Sequence, residues 1–347
     1  GFHVRNIDSR NPISLGHTLS SSNRLPVKIH PAQLAWSASL RQLDIVPVLG
    51  QCMHSPDKPS AQYHRQLSPR QCPRELEIMP KGEQTLSTTL PDNPDGFRIA
   101  LDTSRERADI VLQRPPLNVV AMPQREQLRQ TFEALDRDKR IRVIVLRAEG
   151  EHFSSGGNIQ GFLESTPEEV SDLATNIAAP ARCTKPVVAA IRGYCFGVGF
   201  ELCLACDFRL CSETTLFALP EQRIAQIPGS GGSIRLLHMI GIQRTKDMTF
   251  RSRRVSGSEA KDWGMVLDCV DDSQLETAVD QLVDELRTFS PLSQRTIKRV
   301  LNAAQNTTLE AGIEIEGNAY GRLRSSNDFR EGVESFHAKR KPDFKGS

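Results

Sequence analysis

An α/β fold is predicted from Phe97 onward, and three observations support it. Short β-rich runs alternate with helical stretches, which is typical of α/β proteins. One run, "PVVAAIRGYC" (186–195), is almost wholly apolar, as expected of a strand buried on both faces of a parallel sheet. From about Ser273 the chain reads as successive helices to Phe336. The predicted architecture is therefore a sheet-containing core followed by a helical C-terminal region.

The individual elements follow from local patterns. "ADIVLQRP" (108–115) predicts a strand that ends at a proline pair. "QREQLRQTFEALDRD" (124–138) predicts a helix with Leu128, Phe132 and Leu135 on one face, and "IRVIVLRA" (141–148) predicts a second strand. Beyond the apolar strand, the patterns predict a helix at "ELCLACD" (201–207), followed by the short runs "FRLCSE" (208–213) and "TLFALPE" (215–221), and then a helix at "SIRLLHMIG" (233–241).

The first 96 residues differ from the rest of the chain. They are rich in Ser, Pro, Gln and Arg and have no sustained hydrophobic period, so we expect a disordered or loosely packed extension at 1–96. The basic, serine-containing start weakly resembles an organelle transit peptide, which makes the mitochondrial matrix an alternative to a cytoplasmic location. The predicted division is an extension at 1–96, a core at 97–289 and a C-terminal helical region at 290–347.

Composition excludes some classes of function. The chain has 347 residues, of which 38% are hydrophobic and 25% charged, and its formal net charge is +2. Such a balance is typical of a globular protein without a basic surface for nucleic acid. No run approaches the roughly 18 apolar residues that a membrane-spanning helix needs. We therefore expect neither a nucleic-acid partner nor a membrane partner.

The eight cysteines raise the question of a metal site. Cys203 and Cys206 form a CxxC pair near Cys211, but no second CxxC and no histidine follow at ligand spacing. The segment reads more simply as a buried helix in which cysteine serves as a small apolar residue. We predict no bound metal.

Two glycine-containing turns each follow a predicted strand: "FSSGGN" (153–158) and "FGVGF" (196–200). Glycine lets the backbone approach a ligand closely, and helix N-termini present unpaired N–H groups. Two such donors aimed at one oxygen would form an oxyanion hole, which stabilises an enolate or a tetrahedral oxyanion. Each turn taken alone is more simply explained as an ordinary connection between a strand and a helix.

Two glutamates accompany these turns. Glu201 falls in the first turn of a predicted helix, where the helix dipole also favours a negative charge, and Glu221 follows a proline in what could be a solvated loop. Taken together near the donor turns, they offer a pair of carboxylates that can hold one water molecule and exchange its protons.

Residues from about 97 to 345 resemble the enoyl-CoA hydratase/isomerase, or crotonase, superfamily. The resemblance depends on ordered segments, namely "RPPLN" (114–118), "HFSSGGNI" (152–159), "KPVVAAIRGYCFGVGFELCLACDFRL" (185–210), "FALPEQRIAQIPGSGGSIRL" (217–236) and "FREGVESFHAKRKPDF" (329–344). It implies a crotonase-like ββα spiral core with a C-terminal helical trimerisation region, assembled as a homotrimer or a dimer of trimers.

The resemblance also implies a set of site residues. Backbone N–H groups of Ser155 and Val198 would form the oxyanion hole, and Glu201 and Glu221 match the two hydratase glutamates. Further positions that would bind the substrate or its CoA are Gly156, Gly157, Asn158, Ile159, Gly197, Phe336 and Lys339; the last two would contact the CoA of a neighbouring subunit. The substrate would be an acyl-CoA thioester, with no cofactor besides the CoA that it carries.

The chain departs from the family pattern at both turns. The usual first turn is closer to Ala-Gly-x-Asp, whereas Asn158 here removes a carboxylate. The second turn commonly reads Gly-Gly-Gly, and Val198 here occupies its middle. Both changes keep backbone donors but alter the polarity and shape of the pocket.

Hydration of an α,β-unsaturated acyl-CoA is the predicted function, with both glutamates acting on water. Two alternatives use the same site: hydrolysis of a cyclic or oxo-acyl-CoA thioester, and isomerisation of an enoyl-CoA. An alternative of another class is a non-catalytic scaffold or RNA-binding protein. The presence of both glutamates and the small net charge argue against that alternative.

Overall fold

The computed structural model describes residues 89–171 and 173–347. The predicted transit peptide, and all but the last few residues of the predicted extension at 1–96, lie outside the described residues. Within the described part, strands and helices alternate up to Val270 and helices follow to Ala338. The α/β prediction and the helical C-terminal region are both confirmed.

Nine strands are present in the described part of the chain. They are β1 (Phe97–Asp102), β2 (Arg107–Leu112), β3 (Val143–Ala148), β4 (Val187–Ile191), β5 (Tyr194–Phe196), β6 (Phe208–Ser212), β7 (Leu216–Ala218), β8 (Val255–Ser256) and β9 (Asp268–Val270). A six-stranded sheet has the order β1-β2-β3-β4-β6-β9, and its pairs are parallel apart from the antiparallel pair β1–β2. A three-stranded sheet has the order β5-β7-β8.

Twelve helices connect and cover these strands in the described residues. They are α1 (Met122–Arg137), α2 (Ile159–Glu164), α3 (Pro167–Ser171), α4 (Leu173–Ile177), α5 (Ala179–Arg182), α6 (Val198–Leu204), α7 (Gly232–Phe250), α8 (Gly257–Asp262), α9 (Leu275–Arg287), α10 (Pro291–Ala304), α11 (Leu309–Leu323) and α12 (Asn327–Ala338). Short 3-10 turns lie at Glu221–Ile224 and Asp272–Gln274.

Strand β4, inside the six-stranded sheet, is buried on both faces, as its apolar sequence predicted. On β4, Val187, Ala189 and Ile191 belong to the larger hydrophobic cluster, which also contains the predicted α1 residues Leu128, Phe132 and Leu135. Val188 and Ala190 face the other way, toward a smaller cluster built with α9. The two-residue alternation of the strand therefore serves two cores at once.

The cysteines are packing residues, as predicted. Cys183, Cys195, Cys203, Cys206 and Cys211 are free and buried, and Cys269 is free and partly buried. Cys52 and Cys72 lie outside the described residues. Over 89–171 and 173–347, no three His, Cys, Asp or Glu side chains converge as metal ligands would. No helix in that same part is both long enough and apolar enough to cross a membrane.

The C-terminal helices attach to the core through a buried lysine. The Nζ of Lys298, on α10, donates to the carbonyls of Pro180 and Lys185 at 2.9 Å each and to the carboxylate of Asp207 at 2.6 Å. The next helix, α11, has no buried residue at all, although Leu309, Ile313 and Tyr320 are among its side chains. An apolar helix face is therefore left uncovered in the single chain.

Candidate active site

The two glycine turns lie side by side because the strand ends that precede them pair with each other. Ser154 and Cys195 form a parallel bridge, in which the Ser154 N–H donates to Tyr194 at 2.8 Å and the Phe196 N–H donates to Ser154 at 2.9 Å. Parallel strand ends deliver their following turns to the same edge of a sheet. A methyl group built on Gly197 would lie only 3.6 Å from the Cα of Gly156, so the turns are in contact.

In the first turn, the backbone N–H of Gly157 is the free donor. Gly157 forms a parallel bridge with Val120: the Val120 N–H donates to the carbonyl of Gly156 at 2.9 Å, and the Asn158 N–H donates to Val120 at 3.2 Å. In such a bridge the N–H of the middle residue is directed away from the partner strand. Among the described residues, no acceptor receives the Gly157 N–H.

This arrangement corrects the prediction for Ser155. Its backbone N–H donates to the carbonyl of Leu117 at 2.8 Å, so that donor is already used within the fold. The adjacent Gly156 N–H donates to the hydroxyl of Ser154 at 3.2 Å. The first turn still offers a backbone donor among the described residues, but it is the N–H of Gly157, two residues after Ser155.

In the second turn, Val198 is the first residue of α6. The first N–H groups of a helix have no acceptor within the helix, so the Val198 N–H is available to a ligand. The preceding residue, Gly197, has φ of 51° and ψ of −130°, a conformation that side-chain-bearing residues rarely adopt. Glycine at this position therefore lets the chain turn sharply from β5 into α6.

Glu201 is buried, with 3% of its surface exposed, and one of its oxygens is held by the backbone. Its Oε1 accepts the N–H groups of Ser230 and Gly232 at 2.8 and 2.9 Å. Burial raises the pKa of Glu201, while these two donors and the positive charges of Arg125 and Arg235 oppose the rise. The carboxylate is therefore fixed in position, while its second oxygen receives no hydrogen bond from residues 89–171 or 173–347.

Glu221 lies against the second turn. A methyl group built on Gly197 would lie 3.1 Å from Oε1 of Glu221, which puts the carboxyl against that turn. Its Oε2 is buried and has no hydrogen-bond partner in the described part of the protein. Burial raises the pKa of Glu221 to about 7; its own backbone N–H opposes the rise and the negative charge of Glu201 adds to it.

Two features of the site were missed in the sequence. The segment "GSGG" (229–232) holds Glu201 through the N–H groups described above, and its position directly before α7 was the available signal. Arg125, only 2% exposed, lies against the first turn: a methyl group built on Gly157 would approach its Nη2 to 2.9 Å. The available signal was its position three residues before Leu128, which places a charge on the predicted apolar face of α1.

The remaining predicted residues separate into two groups. Asn158 and Ile159, at the start of α2, are exposed next to the first turn. Phe336 is 81% exposed on α12, and Lys339 ends that helix with φ of 53°; neither has a contact with the glutamates in the described chain. Their predicted role toward a neighbouring subunit stays a prediction.

The fold and site together define a class of protein: an α/β enzyme with backbone donors and two largely buried carboxyl groups at one point. Residues 103–347 match the family model described as enoyl-CoA hydratase/isomerase, and the chain belongs to that family. The resemblance stated from the sequence is confirmed.

Individual relatives agree with this membership. The carnitinyl-CoA dehydratase of Proteus mirabilis (strain HI4320) is 30% identical over 254 residues, which are 71% of this chain and 97% of that protein. An Arabidopsis thaliana protein named "Probable enoyl-CoA hydratase 2, mitochondrial" is 29% identical over 245 residues, 69% of this chain and 81% of that protein.

A solved structure supports the fold directly. The enoyl-CoA hydratase of Bacillus anthracis is 29% identical and superimposes with a TM-score of 0.68, covering 73% of this chain and 100% of that one. The predicted crotonase-like fold is confirmed, and the chain is a hydratase-like enzyme of the lyase class, with activity of the acyl-CoA hydratase type.

Proposed function

We propose that the protein adds water across the α,β double bond of an enoyl-CoA thioester. One observation carries the proposal: Glu201 and Glu221 converge on two adjacent turns, each of which offers an unused backbone N–H. Hydration needs both the backbone donors, which stabilise negative charge on the thioester oxygen, and the carboxyl groups, which transfer the protons of water.

The Gly157 and Val198 N–H groups would bind the thioester oxygen. Attack of water at Cβ moves negative charge onto that oxygen as an enolate forms, and donors fixed in advance stabilise it without reorganising. Each such donor contributes about 10²–10³ in rate in enzymes of this kind of chemistry. Gly156 and Gly197 would shape the approach to the donors because both are buried between the turns.

The two glutamates would divide the proton transfers. Burial raises the pKa of Glu201, but two backbone N–H groups and the charges of Arg125 and Arg235 counteract part of that rise, and its fixed orientation suits it as the base that takes a proton from water. Glu221 has no comparable donors from other residues, and burial raises its pKa to about 7, which suits it to deliver a proton to Cα. No resident metal or cofactor takes part in this mechanism, because CoA belongs to the substrate.

Turnover of crotonyl-CoA by Glu201→Gln and Glu221→Gln variants tests the proposal. We expect each variant to lose at least about 10²-fold in kcat, since general acid–base groups contribute about that much or more. The product should gain the mass of one water and keep its CoA. Wild-type activity in both variants would contradict the proposal, and release of free thiol would indicate a thioester hydrolase instead.

We also propose that the enzyme works as a homotrimer or a dimer of trimers. Large apolar side chains remain exposed on α11 and α12, including Leu309, Ile313, Tyr320, Phe329, Val333 and Phe336. Exposed apolar patches of this kind mark association surfaces. Self-association would cover this face and bring Phe336 and Lys339 toward the CoA of a neighbouring subunit.

A mitochondrial location is proposed over a cytoplasmic one, because the Arabidopsis relative carries "mitochondrial" in its name and the first residues here are basic and serine-rich. A fluorescent protein fused after residue 96 should accumulate in mitochondria when residues 1–96 are present. Diffuse cytoplasmic fluorescence would contradict this location.

A further inference from the structure

Arg125 is a buried guanidinium without an acidic partner. It is 2% exposed, none of its nitrogens forms a hydrogen bond or ion pair in the described residues, and its Nε is completely enclosed. Arg129, one turn later on α1, is buried to a similar degree, but its guanidinium pairs with Glu126 at 2.8 Å and also with Glu133. The two residues therefore differ in the partners of their guanidinium groups.

An unpaired buried charge is costly, and an arginine cannot shed it at neutral pH. Burial lowers the pKa of Arg125 to about 10, and the charge of Glu201 is the one influence that opposes this. The guanidinium therefore stays positive in a poorly solvated place. Such a group gains most from an anion that arrives with a ligand.

The guanidinium lies beside the proposed reaction centre. Its Nη2 would be 2.9 Å from a methyl group built on Gly157, the residue whose N–H is the free donor of the first turn. Its Cζ lies 5.1 Å from the centre of the Phe162 ring, on α2. The nucleotide of CoA is large and polar, so a group buried this deeply next to Gly157 would face the acyl chain of a bound thioester and not its nucleotide.

We propose that Arg125 binds a carboxylate on the acyl chain of the substrate, so that the preferred substrates are enoyl-CoA thioesters with a second acid group. This inference rests on the proposed hydratase function. A guanidinium presents two parallel N–H groups that match the two oxygens of a carboxylate, which gives both binding energy and orientation. Arg125 would then fix the far end of the acyl chain while the turns hold the thioester.

Matched substrate pairs test this specificity. We would compare kcat/KM for glutaconyl-CoA with that for trans-2-pentenoyl-CoA. A second comparison uses a six-carbon trans-2-enoyl-CoA that ends in a carboxylate and the six-carbon trans-2-enoyl-CoA that ends in a methyl group. The wild type should prefer the carboxylated member of at least one pair by about tenfold or more, the value of one or two hydrogen bonds to a charged group. Equal or reversed preference in both pairs would overturn the inference.

Variants then assign the preference to Arg125. Arg125→Met should reduce the ratio of carboxylated to neutral kcat/KM by about 10–10²-fold, and Arg125→Lys should give an intermediate ratio because it keeps the charge but loses the paired geometry. Arg129→Met is the matched control and should keep the wild-type ratio. If Arg125→Met slows both substrates equally and keeps the ratio, the residue merely positions Glu201 or packs on Phe162, and the inference is wrong.

Binding without turnover separates this inference from the proposed function. Calorimetry with glutaryl-CoA and pentanoyl-CoA, which have no double bond, should give at least about tenfold tighter binding of the carboxylated thioester to the wild type and not to Arg125→Met. Such a result with no hydration of any enoyl-CoA would refute the hydratase proposal alone. Hydration with equal binding of both thioesters would refute the role of Arg125 alone.

Discussion

The backbone N–H of Gly232 donates to Oε1 of Glu201 at 2.9 Å, so the first residue of α7 holds a carboxylate carried by α6. The N–H of Ser230 reaches the same oxygen at 2.8 Å. Two donors on one oxygen fix the rotation of the carboxylate and direct its other oxygen into the site. The geometry of the proposed base is therefore set by a loop some thirty residues away in sequence.

Gly232→Ala should disturb that geometry. A methyl group at this position would lie 2.8 Å from Cγ and 3.1 Å from Oε1 of Glu201, closer than ordinary contacts, so the carboxylate must move. We expect kcat for crotonyl-CoA to fall by about 10²-fold, as for other displacements of a catalytic group by about 1 Å. Gly229→Ala is the control, because no atom lies within 4 Å of a methyl group there. Equal rates for the two variants would show that Glu201 tolerates the displacement.

The rate should depend on pH through Glu221. The proposed mechanism needs one proton on the glutamate pair, and the pKa of Glu221 is about 7. Below that pH the proton is present, and above it the proton is lost, so log kcat/KM should fall with a slope of about −1 on the alkaline side. Hydration and dehydration should share this limb, because the overall reaction neither takes up nor releases a proton.

The Glu221→Gln variant provides the control for the pH profile. Its residual activity should lack the alkaline limb, since an amide does not titrate. A wild-type profile that is flat from about pH 6 to about pH 9 would exclude Glu221 as the proton donor.

Replacing single backbone N–H groups by ester oxygens should distinguish Gly157 from Ser155. An ester at residue 157 removes the proposed oxyanion donor, and we expect kcat to fall by about 10²–10³-fold with little change in Tm. An ester at residue 155 removes the hydrogen bond to Leu117, and it should cost about 1 kcal/mol of stability instead. The reverse pattern would restore Ser155 as the donor. Ser155→Ala keeps both N–H groups and should change kcat by less than about threefold.

Charge on the exposed face of α11 should disrupt assembly. Ile313 is 58% exposed in the single chain, and an aspartate there would place an ion in an apolar interface. We expect sedimentation velocity to give a trimer or hexamer for the wild type and a smaller species for Ile313→Asp. Glu316→Gln, an exposed change on the same helix, should leave the assembly intact. A monomeric wild type at all concentrations would contradict self-association.

Much of the fold could be predicted from local patterns, because burial imposes a period on the sequence. Leu128, Phe132 and Leu135 recur at helical spacing and are all buried, and β4 is apolar at every position because both of its faces are covered. Glu201 was predicted at the first turn of a helix from the glycines before it, and the structure has it there.

The details of the site that the sequence did not predict depend on contacts between segments that are distant along the chain. The carbonyl of Leu117 accepts the Ser155 N–H, and Val120 forms hydrogen bonds with the peptide groups on both sides of Gly157. These contacts determine which N–H of the first turn stays free among the described residues. The sequence places the charge of Arg125 on the apolar face of α1. That its guanidinium has no partner among the described residues follows from the three-dimensional packing and not from a local pattern. Local patterns therefore indicated the candidate site, whereas pairing between distant segments determines which of its atoms are free to bind a ligand.

The oxyanion donors that we propose for this site belong to the main chain, and that has a consequence for how such an enzyme would diverge. Substitutions at Val198 or Ser155 alter the volume and polarity of the pocket but cannot remove an N–H unless proline is introduced. Selection can therefore vary the acyl group that fits while the step that stabilises the enolate is inherited unchanged. In this chain, Val198 and the buried cation of Arg125 would be two such variations within the proposed site.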